Sequence, residues 1–293
     1  GTAITVILSG NIVRPVNALS TAMQRVANGD YDVKLETKSN FEIIRRVYSD
    51  FNHMVDELNA VETLRNDFVS NVSHEFKTPL SSIEGYAMLL QDESLSAEAR
   101  SEYTERIVVS TRRLSTLVSN ILMITKIENQ TMPFTLSSYR VDEQVRQSIL
   151  LLENKWSEKN IGFEMDMDSI EFCAVEGLLG NVWSNLIDNA IKFSPEGEII
   201  YISLKEKDDM LSFKIANRGE PMSGETLKRI FEKFYQGDTS HKREGNGLGL
   251  ALVKKIVRVH GGSVSAVNTE DGLIEFTVNL PAKRSCERCC GSN

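Results

Sequence analysis

Cysteine is scarce in this chain and oddly placed. Four occur in 293 residues, Cys173, Cys286, Cys289 and Cys290, and three of them fall within the last eight positions. So few, so clustered, make no disulfide framework, and the folded body reads as built for a reducing compartment. The run from Cys286 to Cys290 could bind metal, but no histidine or second CxxC pair accompanies it, and the tail is otherwise uninformative. Long hydrophobic runs are missing as well: no stretch reaches the roughly 18 apolar residues that span a bilayer. Nor is there an excess of positive charge. Lys plus Arg is 33 against 41 for Asp plus Glu, a formal net charge of -8, which argues against broad electrostatic binding to nucleic acid. There is no internal repeat and no low-complexity linker. What is present is a balanced composition, 41% hydrophobic and 25% charged, that excludes wholesale disorder and has the length for two or three modules. The first nine residues, GTAITVILS, carry no charge and lack the basic start of a signal peptide. They read either as an ordinary buried strand or helix start, or as the inner end of a spanning helix.

Hydrophobic periodicity divides the chain. Val16, Leu19, Met23 and Val26 mark a short amphipathic helix over residues 15–28, broken at Gly29-Asp30. Phe41, Ile44, Val47, Phe51, Met54 and Leu58 mark a second, with no Gly or Pro between Asp56 and Lys77 to stop it before Pro79. A third is predicted over residues 99–128, where Leu114, Leu117, Ile121 and Ile124 recur at heptad-like spacing. Two long helices have too little core of their own, so a dimeric four-helix bundle is expected. After Pro133 the texture changes. A helix is expected from Ser138, with Val145, Ile149 and Leu152 inward. Strands are predicted at 161–165, 199–204, 211–216, 263–268 and 273–280, with helices at 175–193 and 248–259, a mixed sheet with helices on one face.

Three constellations carry possible chemistry. Gly245-Asn246-Gly247-Leu248-Gly249 runs straight into a helical segment, and such a loop is either a helix-capping turn or a cradle for an anion. Asn185 and Asn189 lie four apart on one helix face with Lys192 beside them. They suit either a buried amide network or Mg²⁺ already balanced by phosphate. The polar segment between Arg218 and Asn246, interrupted by Phe231, Phe234 and Tyr235, is either a solvated insertion or a functional loop whose Lys242 and Arg243 meet phosphate. His74, one of four histidines, adjoins Glu75 on a helix. It is either a surface residue or a nucleophile helped by a neighbouring carboxylate.

Taken together, SNVSHEFKTPLSSI, NVWSNLIDNAIKFS, RIFEKFYQGD and GNGLGLALVKKIVRVHGG resemble, in order and spacing, the phosphoacceptor, asparagine, phenylalanine and glycine-rich motifs of bacterial two-component sensor histidine kinases. The resemblance covers residues 61–281, and residues 10–60 resemble a HAMP relay, with Pro15 and Phe41-Glu42 as pointers. It implies a multidomain protein: the end of a truncated transmembrane helix (1–9), a HAMP-like helical relay (10–60), a dimerisation and phosphoacceptor hairpin (61–133), a GHKL-type α/β sandwich that binds ATP (134–281) and a tail (282–293). It further implies that His74 accepts the γ-phosphoryl group of ATP, that Glu75 orients the ring and acts as base, and that Thr78 positions water for regulator dephosphorylation. Asn189 would hold Mg²⁺ with Asn185 nearby, Lys192 would meet phosphate, and Gly245, Gly247 and Gly249 would let the lid pass close to it. The implied partners are a second copy of the chain and a response regulator, with the protein anchored in a bacterial cell membrane and this portion cytoplasmic. One departure stands out. The family pattern Asp-x-Gly-x-Gly reads Asn217-Arg218-Gly219-Glu220-Pro221 here, so a neutral amide replaces the carboxylate that receives the adenine amine. Another is Gln236 after Phe234-Tyr235, where the family usually has Arg. The alternative function is therefore a degenerate kinase, acting as a phosphatase or a nucleotide-binding scaffold.

Overall fold

The computed structural model describes residues 12–36, 41–129, 135–237 and 245–282. The expectations for residues 1–9, for the cysteine-bearing tail and for Lys242 and Arg243 lie outside them. The chain divides into two compact units, residues 1–74 and 75–293.

In the first unit, α1 (Arg14–Ala27) opens with a proline in its first turn, where no backbone donor is needed. It ends at Asn28, and Gly29 takes a positive φ of 87° to turn the chain. The connector returns along α2 (Glu42–Leu89). Asn52 holds it there: the Leu35 N–H donates to Asn52 Oδ1, and Asn52 Nδ2 donates to the Leu35 carbonyl, both at 2.9 Å. Tyr48 Oη donates to the Pro15 carbonyl at 3.0 Å. Ala22, Val33, Phe51 and Val55 are buried in a small core against Leu19, Val26, Tyr31 and Leu35. That uses only part of the apolar stripe, and Val16, Met23, Ile43, Val47 and Met54 stay exposed. The helix α2 is continuous through Pro79.

In the second unit, α2 turns into α3 (Ala97–Glu128), whose N-terminus is capped by Ser96 accepting from the Ala99 N–H at 3.2 Å. Tyr86 and Tyr103 pack their rings 5.6 Å apart across the hairpin. Part of the α3 stripe expected to line a dimeric bundle is instead covered within one chain. Leu117 and Ile124, with Ile127, are buried in the same core as the α/β domain, and Ile121 packs against it. The exposed apolar residues of α3 are instead Val109, Val118 and Leu122.

The α/β domain follows. Its expected helical start at Ser138 is also corrected: Ser137–Arg140 form β1, which pairs antiparallel with β3 (Glu171–Ala174). Only from Val141 does α4 (Val141–Leu150) begin, followed by the short α5 (Glu153–Glu158). Alternating side chains make a strand of SSYR, while Val141, Val145 and Ile149 give the helical face. Then come β2 (Gly162–Met167), α6 (Glu176–Phe193), β4 (Ile199–Lys207), β5 (Met210–Arg218), α7 (Gly224–Arg229), α8 (Gly249–Val259), β6 (Ser263–Asn268) and β7 (Leu273–Pro281). The main sheet has the order β2-β4-β5-β7-β6, with β2 and β4 parallel and the other pairs antiparallel. Alternate residues such as Leu204, Phe213 and Val278 point at the helix layer of α4, α6 and α8. Trp183 of α6 is fully buried on Phe213, ring centroids 4.7 Å apart, and its indole N–H donates to Gln144 Oε1 at 2.9 Å.

Asp142 fastens the small sheet to α4. Its carboxylate is fully buried and receives Arg140 at 2.8 and 2.7 Å, Arg146 at 2.7 Å and the Ile170 N–H at 3.3 Å. The Arg140 hydrogen bonds hold the carboxyl well below the usual range against the opposing push of burial, and Arg146 and the Ile170 N–H add to them. A carboxylate depressed in the folded state stabilises the fold above its unfolded pKa of about 3.9, and that stability is lost as pH falls below it. Asp142→Asn is expected to melt several degrees below the wild type at pH 7. Thermal melts in more acidic buffer should show the gap narrowing from about pH 4 downward, as the Asp142 carboxylate of the unfolded wild-type chain takes up a proton that the folded one does not.

Candidate nucleotide and phosphoacceptor site

The sheet and α6 set up one end of the α/β domain. The end of α6 is fixed by Lys159, whose Nζ donates to the carbonyls of Ile191, Lys192 and Ser194 at 2.9, 2.8 and 3.0 Å. A cation there satisfies the orphan carbonyls and suits the helix dipole. On the face of α6 left partly open stand Asn185, Asn189 and Lys192. Asn185 Nδ2 donates to the Asn181 carbonyl at 2.7 Å, which turns Oδ1 outward toward the start of α8. A Cβ at Gly249 would lie 2.5 Å from that Oδ1, so a side chain there would push the Asn185 amide aside. A Cβ at Gly245 would lie 2.9 Å from Lys192 Nζ. Asn185, Lys192, Gly245 and Gly249 are thus brought together. An outward amide oxygen beside a lysine and a helix N-terminus fits a phosphate chain with its divalent cation.

The stem of the long loop is held by unusual backbone. Gly247 has φ +63°, and a Cβ there would meet the Phe234 carbonyl carbon at 2.6 Å. Phe234 itself has φ +62°, and its N–H donates to the Gly247 carbonyl at 2.9 Å. Phe231 stands edge-on to Phe276, centroids 6.3 Å apart, and both Phe231 and Phe234 pack against the main core. The Arg229 guanidinium sits 4.6 Å over the Tyr235 ring. Gln236, the departure from the family pattern, donates from Nε2 to the Gly245 carbonyl at 3.0 Å and so ties the two ends of the loop.

Asn217 lies at the end of β5, 2% exposed, with Nδ2 donating to the Arg218 carbonyl at 3.0 Å. Gly219 follows, close to Ile274 and the Phe193 carbonyl. The chain beyond is pinned by Asn268, which accepts from the Met222 N–H at 3.0 Å and donates to the Met222 carbonyl at 2.7 Å.

His74 is exposed on α2, and Glu75 and Thr78 lie on the same helix, Glu75 half-buried and Thr78 exposed. Sequence reasoning missed the partner of Glu75. Arg113 of α3 pairs with its carboxylate at 3.7 Å and also donates to the Gly245 carbonyl at 3.5 Å. It missed Glu128 as well, which receives Lys233 at 2.9 Å and Lys255 at 3.7 Å. Charge on a helix read as a bundle element gave no sign that it faces another domain. Among the described residues, no group of three or more His, Cys, Asp or Glu side chains gathers as a metal site.

Comparison with known proteins agrees with this layout. Residues 174–284 match the family described as histidine kinase-, DNA gyrase B- and HSP90-like ATPase, residues 64–130 the His Kinase A (phospho-acceptor) domain, and residues 7–60 the HAMP domain. The heme sensor protein HssS of Staphylococcus aureus (strain JH9) is 33% identical over 271 residues, covering 92% of this chain. The chain spans 58% of that relative's length. Among solved structures, full-length ShkA in complex with AMPPNP is 28% identical with a TM-score of 0.56, covering 75% of this chain and 46% of ShkA. The histidine kinase ThkA, solved with the response regulator protein TrrA, has a TM-score of 0.61 at 23% identity, covering 77% of this chain and 64% of ThkA, and shares the fold.

Proposed function

Because the chain belongs to the sensor histidine kinases of bacterial two-component systems, we propose that it phosphorylates its own His74 from Mg²⁺-ATP and passes the group to an aspartate of a response regulator. In its other signalling state it dephosphorylates that regulator, with Thr78 positioning the water. The observation that carries this is the convergence of Asn185, Lys192, Gly245 and Gly249 at the start of α8, in a chain that also presents the exposed His74-Glu75 pair. In this reading His74 Nε2 attacks the γ-phosphorus, the bond from that phosphorus to the bridging oxygen breaks, and ADP leaves. The Glu75 carboxylate orients the ring and takes its proton. Lys192 meets the phosphates, Gly245, Gly247 and Gly249 let the loop approach them, and Lys242 and Arg243 add positive charge. Asn217 receives the adenine amine beside Gly219, with Phe231 and Phe234 anchoring the loop. Mg²⁺, when bound through Asn189 with Asn185 beside it, supplies neutralisation of phosphate charge.

The working protein in this reading is a membrane-anchored homodimer, with residues 10–60 a HAMP relay, 61–133 the phosphoacceptor hairpin and 134–281 the ATP-binding domain. Val109, Val118 and Leu122, exposed on α3, offer apolar surface for the second copy. Incubation with γ-labelled ATP tests the reading: the label should be labile in acid, stable in base and transferable to a regulator. Asn189→Asp adds charge beside the phosphates and disturbs metal geometry. It should lower labelling at least about 100-fold, and labelling at the wild-type rate would remove Asn189 from the site.

A further inference from the structure

Resting on the ATP site proposed above, we infer that Lys159, which stands outside that site, is a positioning residue for the nucleotide and acts through Lys192. The observation is the way α6 ends. The last carbonyls of a helix need donors from beyond its own ladder. Many helices bring them from the backbone by turning into the left-handed region after the last turn. α6 does not. Its C-cap Ser194 is extended, with φ -69° and ψ 141°, and Pro195 after it has no N–H to give back. Ser194 serves Ala190, whose carbonyl accepts its N–H at 3.0 Å and its hydroxyl at 2.7 Å. Lys159 serves the rest. Its ammonium has three donors, and they go to the carbonyls of Ile191, Lys192 and Ser194 at 2.9, 2.8 and 3.0 Å. The Lys159 carbonyl meanwhile accepts the Gly197 N–H at 2.8 Å, so one residue clasps the chain on both sides of Ser194.

What the clasp holds in place is the turn that carries Lys192. The Lys192 ammonium stands 4.6 Å from the centre of the Phe193 ring and 2.9 Å from where a Cβ at Gly245 would lie. The body of α6 does not depend on the clasp, because Trp183, Leu186, Ile187 and Ile191 are buried in the main core. Removing the Lys159 ammonium therefore loosens the last turn and leaves the helix on the sheet. Three carbonyls must then find water, and the turn opens to let them. A lysine that meets phosphate through aligned, charge-assisted bonds loses them when its backbone moves by about 1 Å. Lys159 thus sets where a phosphate-binding charge stands without spending a donor on phosphate itself.

The test is calorimetric titration of Mg²⁺-ATP into the full chain as wild type, Lys159→Met, Lys192→Met and the double variant. Lys192→Met alone should weaken binding at least about tenfold, the worth of one charge-assisted bond. Lys159→Met alone should weaken it at least about fivefold, although its own donors are spent on carbonyls. In the Lys192→Met background it should cost under about twofold, because the group it positions is gone. A purely structural cap would lower the melting temperature in both backgrounds and cost binding equally in both. Equal losses of affinity in the two backgrounds, or wild-type affinity in folded Lys159→Met, overturn the inference and leave the ATP site standing. Where Lys159→Met does not fold, Lys159→Gln runs the same cycle with two donors on a shorter stem. It should cost at least about threefold alone and under about twofold beside Lys192→Met. If Lys192→Met binds ATP as the wild type does, Lys192 leaves the phosphate site and the inference goes with it. A wild type that binds no Mg²⁺-ATP removes the ATP site itself.

Discussion

His74→Gln is expected to abolish phosphoryl label in the chain while leaving Mg²⁺-ATP affinity within about twofold of the wild type. The position is exposed in the middle of a 48-residue helix, and glutamine is at least as good a helix former as histidine. The substitution therefore leaves the helix intact. What it removes is the ring nitrogen lone pair. A glutamine amide nitrogen is delocalised into its carbonyl and is no nucleophile, so the phosphorus has nothing to bond to. The measurement is a pair of assays on the same preparation: labelling followed by acid and base treatment, and calorimetric titration with Mg²⁺-ATP. Acid-labile label surviving in the variant would move the phosphoacceptor elsewhere. Loss of ATP binding alongside the label would mean the helix had been disturbed.

Gly247→Ala should do the reverse, sparing the acceptor while weakening ATP binding at least about 100-fold. Two penalties fall on one residue. Its φ of +63° is a conformation that side chains with a Cβ rarely adopt, and the new methyl would stand 2.6 Å from the Phe234 carbonyl carbon. That neighbour cannot yield like a flexible side chain, because it is backbone held at its own positive φ and bonded through its N–H to the Gly247 carbonyl. The loop stem must open, and with it go the approach of Gly245 to Lys192 and of Gly249 to Asn185. The global melting temperature should fall far less than binding does, since Leu248, Leu252 and Val253 still anchor α8 in the core. Wild-type affinity in a folded Gly247→Ala protein would show that nucleotide does not depend on this stem.

Long-period signals were the legible ones. β4, β5 and β7 alternate buried and open side chains along nine residues each, and α6 and α8 carry apolar faces, so their positions follow from side-chain spacing. β1 and β3 were not legible. Four residues are too few for a period to declare itself, and Ser138-Tyr139-Arg140 runs into a real helix start at Val141. The stripe on α3 was visible, but its partner was not, because spacing tells which residues are buried and not what buries them. At the site, the glycine and asparagine positions could be read from the chain. The links that join separate elements, Lys159 at the end of α6 and Arg113 between Glu75 and Gly245, depend on the fold and leave no local mark.

The burial of Leu117, Ile124 and Ile127 by the α/β domain also has a consequence during synthesis. These side chains pack with α8, which the ribosome makes only later. About 120 residues separate Ile127 from Gly249, so at roughly 5–20 residues per second the nascent helix waits about 6–24 s with that face bare. Over that interval an apolar stripe on a helix already long enough to form is open to other nascent chains on the same message, and to any chaperone that binds such faces. Ribosome-bound chains halted near residue 200 should crosslink through position 117, and chains halted well beyond residue 282 should not.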